Sequence, residues 1–130
     1  MHFIFGGAYN GKTAYAKQLA PDARLLTAHI PAVEEVRGQT IIVRHIEQCV
    51  TLQADERLEA MRIVEQLETL AAVANVIVIG NDISRGVVPL QKEARFQRDC
   101  AGRLYQLLVQ RAKNVTQIWY GLPQTIKGGE

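Results

Sequence analysis

Hydrophobic positions along this 130-residue chain fall into two kinds of stretch that alternate. Short unbroken apolar runs rich in β-branched residues predict strands, and longer stretches with apolar residues three and four apart predict helices. His2-Phe3-Ile4-Phe5 is the first strand-like run, followed by a helix over Thr13 to Ala20 that Pro21 closes. Ala23 to Ala28 reads as a second strand, left by His29-Ile30-Pro31; residues 32–39 are polar, with Gly38; and Thr40 to Arg44 reads as a third strand. From Leu52 to Ala74 the apolar residues Leu58, Met61, Val64, Leu67, Leu70 and Ala71 form a helical stripe with a solvated Glu/Arg face opposite. Asn75 to Gly80 is apolar without alternation, the pattern of a central parallel strand covered on both faces. Asn81 to Pro89 forms a loop, and Leu90 to Lys113 a long helix with Ala94, Ala101, Leu104, Leu108 and Ala112 turned inward. Val115 to Tyr120 is the last strand expected. Gly121-Leu122-Pro123 then turns the chain, and Gly128-Gly129-Glu130 is a frayed end.

Strands alternating with helices imply right-handed crossovers and a mostly parallel sheet with helices on both faces, an α/β fold in one domain spanning residues 1–130. In such sheets ligands bind at the carboxyl ends of the strands. That rule gathers residues 6–13, 27–31, 44–48 and 81–85 at one rim.

The first of these segments carries the strongest chemical signal. Gly6-Gly7-Ala8-Tyr9-Asn10-Gly11-Lys12-Thr13 fits G-x-x-x-x-G-K-[ST], the Walker A or P-loop pattern, and stands between a strand and a helix as that motif requires. Several backbone N–H groups must converge on one phosphate, and a glycine-rich turn permits the necessary φ angles and close approach. Lys12 is expected to reach the β and γ phosphates, and Thr13 to place its hydroxyl on Mg²⁺. The helix beginning near Lys12 directs the positive end of its dipole at the anion. A nucleoside triphosphate, ATP or GTP with Mg²⁺, is the ligand this arrangement predicts.

Composition narrows the field further. Hydrophobic residues make up 48% and charged residues 22%, ordinary values for a globular protein, and the net charge of +2 is too small and too dispersed to imply nucleic acid. Cys49 and Cys100 have no metal-ligand or CxxC spacing and are expected as reduced, buried thiols. Met1 leads straight into the first strand and no apolar run approaches a membrane span, so a cytoplasmic protein without membrane contact is expected.

A second signature follows the fourth strand: Asn81-Asp82-Ile83-Ser84-Arg85-Gly86-Val87-Val88-Pro89, then Ala94-Arg95-Phe96, Asp99, Gly102-Arg103 and Gln106. Together with the P-loop and the ending Gly121-Leu122-Pro123 with Ile126-Lys127, it resembles the adenosylcobinamide kinase/adenosylcobinamide-phosphate guanylyltransferase family. The likeness covers residues 1–20 and 75–127. It implies a RecA-like P-loop NTPase fold, a small homo-oligomer, and phosphoryl transfer from a nucleoside triphosphate to the aminopropanol hydroxyl of adenosylcobinamide. The family's second reaction moves GMP through a covalent histidine, late in assembly of the cobalamin nucleotide loop.

The chain departs from the family pattern in two places. It is shorter between the first helix and the third strand, where the family's guanylylated histidine stretch has no counterpart. His29 and His45 are the histidines left near the proposed site. Arg44 also falls where the family has an acidic residue that orients Mg²⁺, and a guanidinium cannot ligate a cation. Asp82, or Glu47 just beyond Arg44, can supply a carboxylate instead. The catalytic candidates are therefore Lys12 and Asp82, the metal candidates Thr13 and Asp82, and the substrate-binding candidates Arg85 and Arg95. Lys92, Arg98 and Arg103 read as a solvated helix face, and Trp119 and Tyr120 as core or interface packing with planar-ring contact as the alternative. Two functions follow: a kinase of the adenosylcobinamide type without guanylyltransferase activity, and a non-catalytic nucleotide-binding relative that regulates a partner.

Overall fold

The computed structural model describes residues 1–7, 11–51, 55–81 and 91–128. Its elements in chain order are β1 (His2–Gly6), α1 (Lys12–Leu19), β2 (Arg24–Thr27), α2 (Val33–Val36), β3 (Thr40–Arg44), a 3₁₀ turn (Ile46–Cys49), α3 (Glu56–Ala71), β4 (Asn75–Asn81), α4 (Lys92–Arg111), β5 (Asn114–Trp119) and β6 (Leu122–Lys127). The strands form one six-stranded sheet in the order β2-β3-β4-β1-β5-β6. All neighbours are parallel except β5 and β6. This is the mostly parallel α/β sheet that the alternation predicts.

Period-two alternation along each strand builds two cores. Phe3, Ile41, Val43, Val76, Val78 and Val115 point to one face, where Ile63, Val64 and Leu67 of α3 and Leu104 and Leu108 of α4 cover them. Ile4, Ile42, Ile77, Ile79 and Ile118 point to the other, packed with Ala16 of α1. Each such side chain, buried, stabilises the fold by roughly 1.5–3 kcal/mol. Cys49 and Cys100 are free thiols, and burial pushes both up to about 11, which keeps them protonated and unreactive. Among the described residues no helix is long and apolar enough to cross a membrane.

The sequence reading needs correction at several points. Helix α3 begins at Glu56, where Asp55 caps it by accepting from the Arg57 and Leu58 N–H groups at 2.8 and 3.3 Å. Its buried stripe is Ala60, Ile63, Val64, Leu67 and Leu70, while Leu58 is 70% exposed. Helix α4 runs over Lys92–Arg111, within the expected span. The segment after Gly121 does more than turn the chain: Leu122–Lys127 returns as β6, antiparallel to β5 and exposed at every residue, while of the expected frayed end Gly129 and Glu130 lie outside the described residues. Trp119 and Tyr120 are 41% and 81% exposed and stack edge to face on each other at 5.2 Å, so neither belongs to the core.

Candidate functional site

Parallel pairing brings the carboxyl ends of β1, β3, β4 and β5 to one rim. Gly6, the last residue of β1, is in register with Asn81 on β4 and Ile118 on β5. A Cβ at Gly6 would stand 2.5 Å from the Ile118 carbonyl oxygen, so β5 approaches this closely only because the position is glycine. Gly11 caps α1 at φ 78° and ψ 22°, a left-handed conformation that glycine adopts without strain. Gly11 has no side chain with which to cap α1, and the helix's first turn has no acidic residue. The first N–H groups and the positive dipole end of α1 suit an anion.

Lys12 is the first residue of this helix and is 5% exposed, with Nζ donating to the Gly7 carbonyl. Burial holds its pKa below the usual lysine value, opposed by the negative charge of Glu47. Thr13 follows in the first turn of α1. Ala8, Tyr9, Asn10, Asp82 and Arg85 lie outside the described residues.

Opposite Lys12 the rim carries a buried acid. Glu47, in the 3₁₀ turn after β3, is 4% exposed. Its Oε1 accepts from the Asn81 N–H at 3.1 Å and the Tyr105 hydroxyl at 3.3 Å, and its Oε2 accepts from Asn81 Nδ2 at 3.3 Å. Tyr105, from α4, also donates to the Asn81 carbonyl at 2.5 Å, and its ring lies over Gly80, where a Cβ would meet it at 2.7 Å. Asn81 Nδ2 donates further to His45 Nδ1 at 3.1 Å.

The remaining candidates separate. Arg44 turns toward the sheet's outer strand, with Nε donating to Thr27 Oγ1 at 2.8 Å. Arg95 is exposed in the first turn of α4. Arg98 pairs with Asp99 at 2.8 Å, and Arg103 reaches Glu56 on α3 at 2.8 Å, so both have structural partners. His29 is exposed beyond β2, and His2 sits at the opposite rim, its Nε2 2.8 Å from Thr116 Oγ1. An open cleft of about 810 Å³, lined by Asp22, Arg24, Asn75 and Lys113 among others, also belongs to that opposite rim. Tyr105 was missed in the sequence. The signal available was its place beside Leu104 and Leu108 on the inward face of α4, where an aromatic ring with a polar tip needs a hydrogen-bond partner.

A family model for cobinamide kinase / cobinamide phosphate guanyltransferase matches residues 39–126. The chain belongs to this family. The match takes in β3 and α3, which the sequence likeness left out, as well as β4, α4 and β5. The chain is also 26% identical to the bifunctional adenosylcobalamin biosynthesis protein CobP of Pseudomonas aeruginosa, over 96% of this chain and 96% of that one. That alignment runs to 166 positions, more than the 130 residues here, so the relative has segments with no counterpart in this chain. The fold is accordingly of the P-loop NTPase kind that marks the cobinamide kinase family.

Proposed function

We infer that the protein is a nucleoside-triphosphate-dependent kinase of cobalamin biosynthesis, passing the γ-phosphoryl group of ATP or GTP to a hydroxyl of a cobinamide, and that it lacks guanylyl transfer. The observation that carries this reading is the buried Lys12 ammonium in the first turn of α1, behind the glycine N-cap Gly11. Such a group is costly to desolvate, and an anion delivered to it repays the cost. The Gly7 carbonyl that Lys12 now meets would give way to phosphate oxygens. In the transfer the bond between the γ-phosphorus and the bridging oxygen breaks, the acceptor oxygen bonds to phosphorus, and the acceptor proton is released. The protein's part is positioning and charge stabilisation, which Lys12, the α1 N–H groups and the loop supply.

Magnesium fits this site by its donor chemistry, because the Thr13 hydroxyl and a carboxylate are the hard oxygen ligands it prefers. When bound, it would neutralise charge on the phosphates. Asp82 and Glu47 are the two carboxylates available for the metal, and Arg85 and Arg95 are kept as the cations offered to phosphate or substrate. The missing guanylyl step is supported by the histidines themselves: His2 is at the far rim, His29 is solvated, and His45 is engaged with Asn81. The homo-oligomer that the likeness implies has a candidate surface in β6, where Leu122 is 70% and Ile126 47% exposed.

Incubation with adenosylcobinamide and γ-labelled ATP or GTP is expected to give a labelled, phosphorylated corrinoid by chromatography and mass spectrometry. α-Labelled GTP is expected to leave no acid-labile label on the protein. Labelled protein in the second assay would restore the guanylyl step, and unlabelled corrinoid in the first would contradict the kinase reading. Bound nucleotide without transfer would favour the regulatory relative, for which the cation Arg44 at the end of β3 is the specific argument.

A further inference from the structure

Arg44 ends β3 at the position where the family likeness places a metal-orienting acid, yet its guanidinium is turned toward Thr27 and away from β1. The next residue changes the course of the chain. His45 adopts φ 58° and ψ 47°, a left-handed conformation that costs a non-glycine residue free energy and persists only where its surroundings impose it. The 3₁₀ turn that follows lays Glu47 over the end of β4, where two donors of Asn81 and the hydroxyl of Tyr105 fix both carboxylate oxygens. Asn81 is in register with Gly6. The acid is thereby moved one strand inward, from β3 to β4, which borders the strand that carries the phosphate loop.

We propose that Glu47 is the carboxylate that holds Mg²⁺ and its waters beside the nucleotide phosphates, in place of the strand-end acid that Arg44 replaces. This rests on the kinase reading above. A carboxylate offers about four acceptor directions; two are taken by the Asn81 donors and a third faces the Tyr105 hydroxyl, whose single proton also serves the Asn81 carbonyl, so room is left for a metal-bound water. A buried ionised acid is also costly without a compensating cation. Lys12 acts on Glu47 through its field, with Nζ donating to the Gly7 carbonyl, and the His45 Nδ1 that lies 3.7 Å from Oε2 accepts from Asn81, so a metal ion would add a directly coordinated cation. Gln97 Nε2 donates to the Glu47 carbonyl at 3.4 Å, so α4 holds the backbone of the turn as well as the side chain.

Calorimetric titration of ATP, with and without Mg²⁺, tests this on the purified chain and needs no turnover. Glu47→Gln is expected to bind metal-free ATP as the unmodified protein does. Its Mg²⁺ affinity in the ternary complex is expected to fall about 10- to 100-fold, the usual effect of removing a group that orients a metal's ligands. Glu47→Asp, which keeps the charge on a shorter stem, is expected to recover part of the loss, whereas a merely structural role would not follow charge in this way. Thermal unfolding of each variant checks that it folds. Arg44→Ala keeps the full Mg²⁺ effect, a result independent of whether Glu47 variants fold. An unchanged Mg²⁺ effect in Glu47→Gln would overturn the proposal, as would its loss in Arg44→Ala, or in Asp82→Ala with Glu47→Gln unaffected. Failure of the underlying reading looks different: ATP binding would then survive in Lys12→Met.

Discussion

Lys12→Met is expected to lower phosphoryl transfer by about 10²–10³-fold, the effect of deleting one charge-stabilising donor, and to abolish tight nucleotide binding, while leaving the protein folded and no less stable. The two halves of this result share one cause. Lys12 is 5% exposed, and burial lowers its pKa more than the Glu47 charge raises it. Below its folded-state pKa the residue is protonated in both the folded and unfolded chains. Between that value and 10.5 the unfolded chain holds a proton that the folded chain has released, so stability rises with pH across this window. At neutral pH the ammonium is therefore a cost to the fold, the kind of cost that a site for an anion carries. Methionine fills the same space without charge. Thermal unfolding at pH 7 and pH 10 is expected to show the wild type gaining on the variant as pH rises, and calorimetry to show ATP binding in the wild type alone.

Glu59→Ala is expected to have the largest effect on stability, about 2–3 kcal/mol, or a fall in Tm of about 10 °C. Glu59 lies in the first turn of α3 and is 1% exposed. Its carboxylate accepts from the Thr51 N–H at 2.5 Å and hydroxyl at 2.6 Å, and from Arg62 Nε at 2.6 Å and Nη2 at 3.0 Å. Alanine leaves these donors to find water, which the half-exposed Arg62 can do and the Thr51 N–H can do only by opening the turn. The Arg62 guanidinium is the main cause that draws the Glu59 carboxyl down to about 2, with Thr51 adding to it. Because the folded value lies below the ordinary 4.5, the stabilisation is complete above pH 4.5 and is lost as pH falls toward about 2. Urea unfolding from pH 7 to pH 2 is expected to show the gap between wild type and variant closing over that interval. Thr51 follows the turn that holds Glu47, so the clamp ties the start of α3 to the candidate site.

The alternation of apolar runs made the sheet and its main helices legible, because β1, β3 and β4 are buried on both faces and admit little but Ile, Val and Phe. The phase of α3 was not legible. Leu58 belongs by spacing to an apolar stripe, but the inward position is held by Glu59, whose charge is satisfied by Thr51 and Arg62 in a way no periodicity displays. Strand β6 was hidden for a related reason: Leu-Pro-Gln-Thr-Ile-Lys is an exposed edge, and Pro123 and the preceding glycine read as a turn. At the site, the strand–glycine–helix junction that holds Gly6, Gly11, Lys12 and Thr13 could be read because such a junction is local in sequence. Glu47 was one alternative among two, and Tyr105 was absent, because both reach the rim across long sequence separations: Glu47 meets Asn81 34 residues away, and Tyr105 meets Glu47 58 residues away.

The most direct test is the structure of the complex with Mg²⁺ and a non-hydrolysable triphosphate analogue. The account predicts β and γ phosphates at the N-terminus of α1, Lys12 Nζ moved from the Gly7 carbonyl to a phosphate oxygen, and the metal between Thr13 and Glu47. An analogue bound elsewhere, with Lys12 still on Gly7, would contradict it.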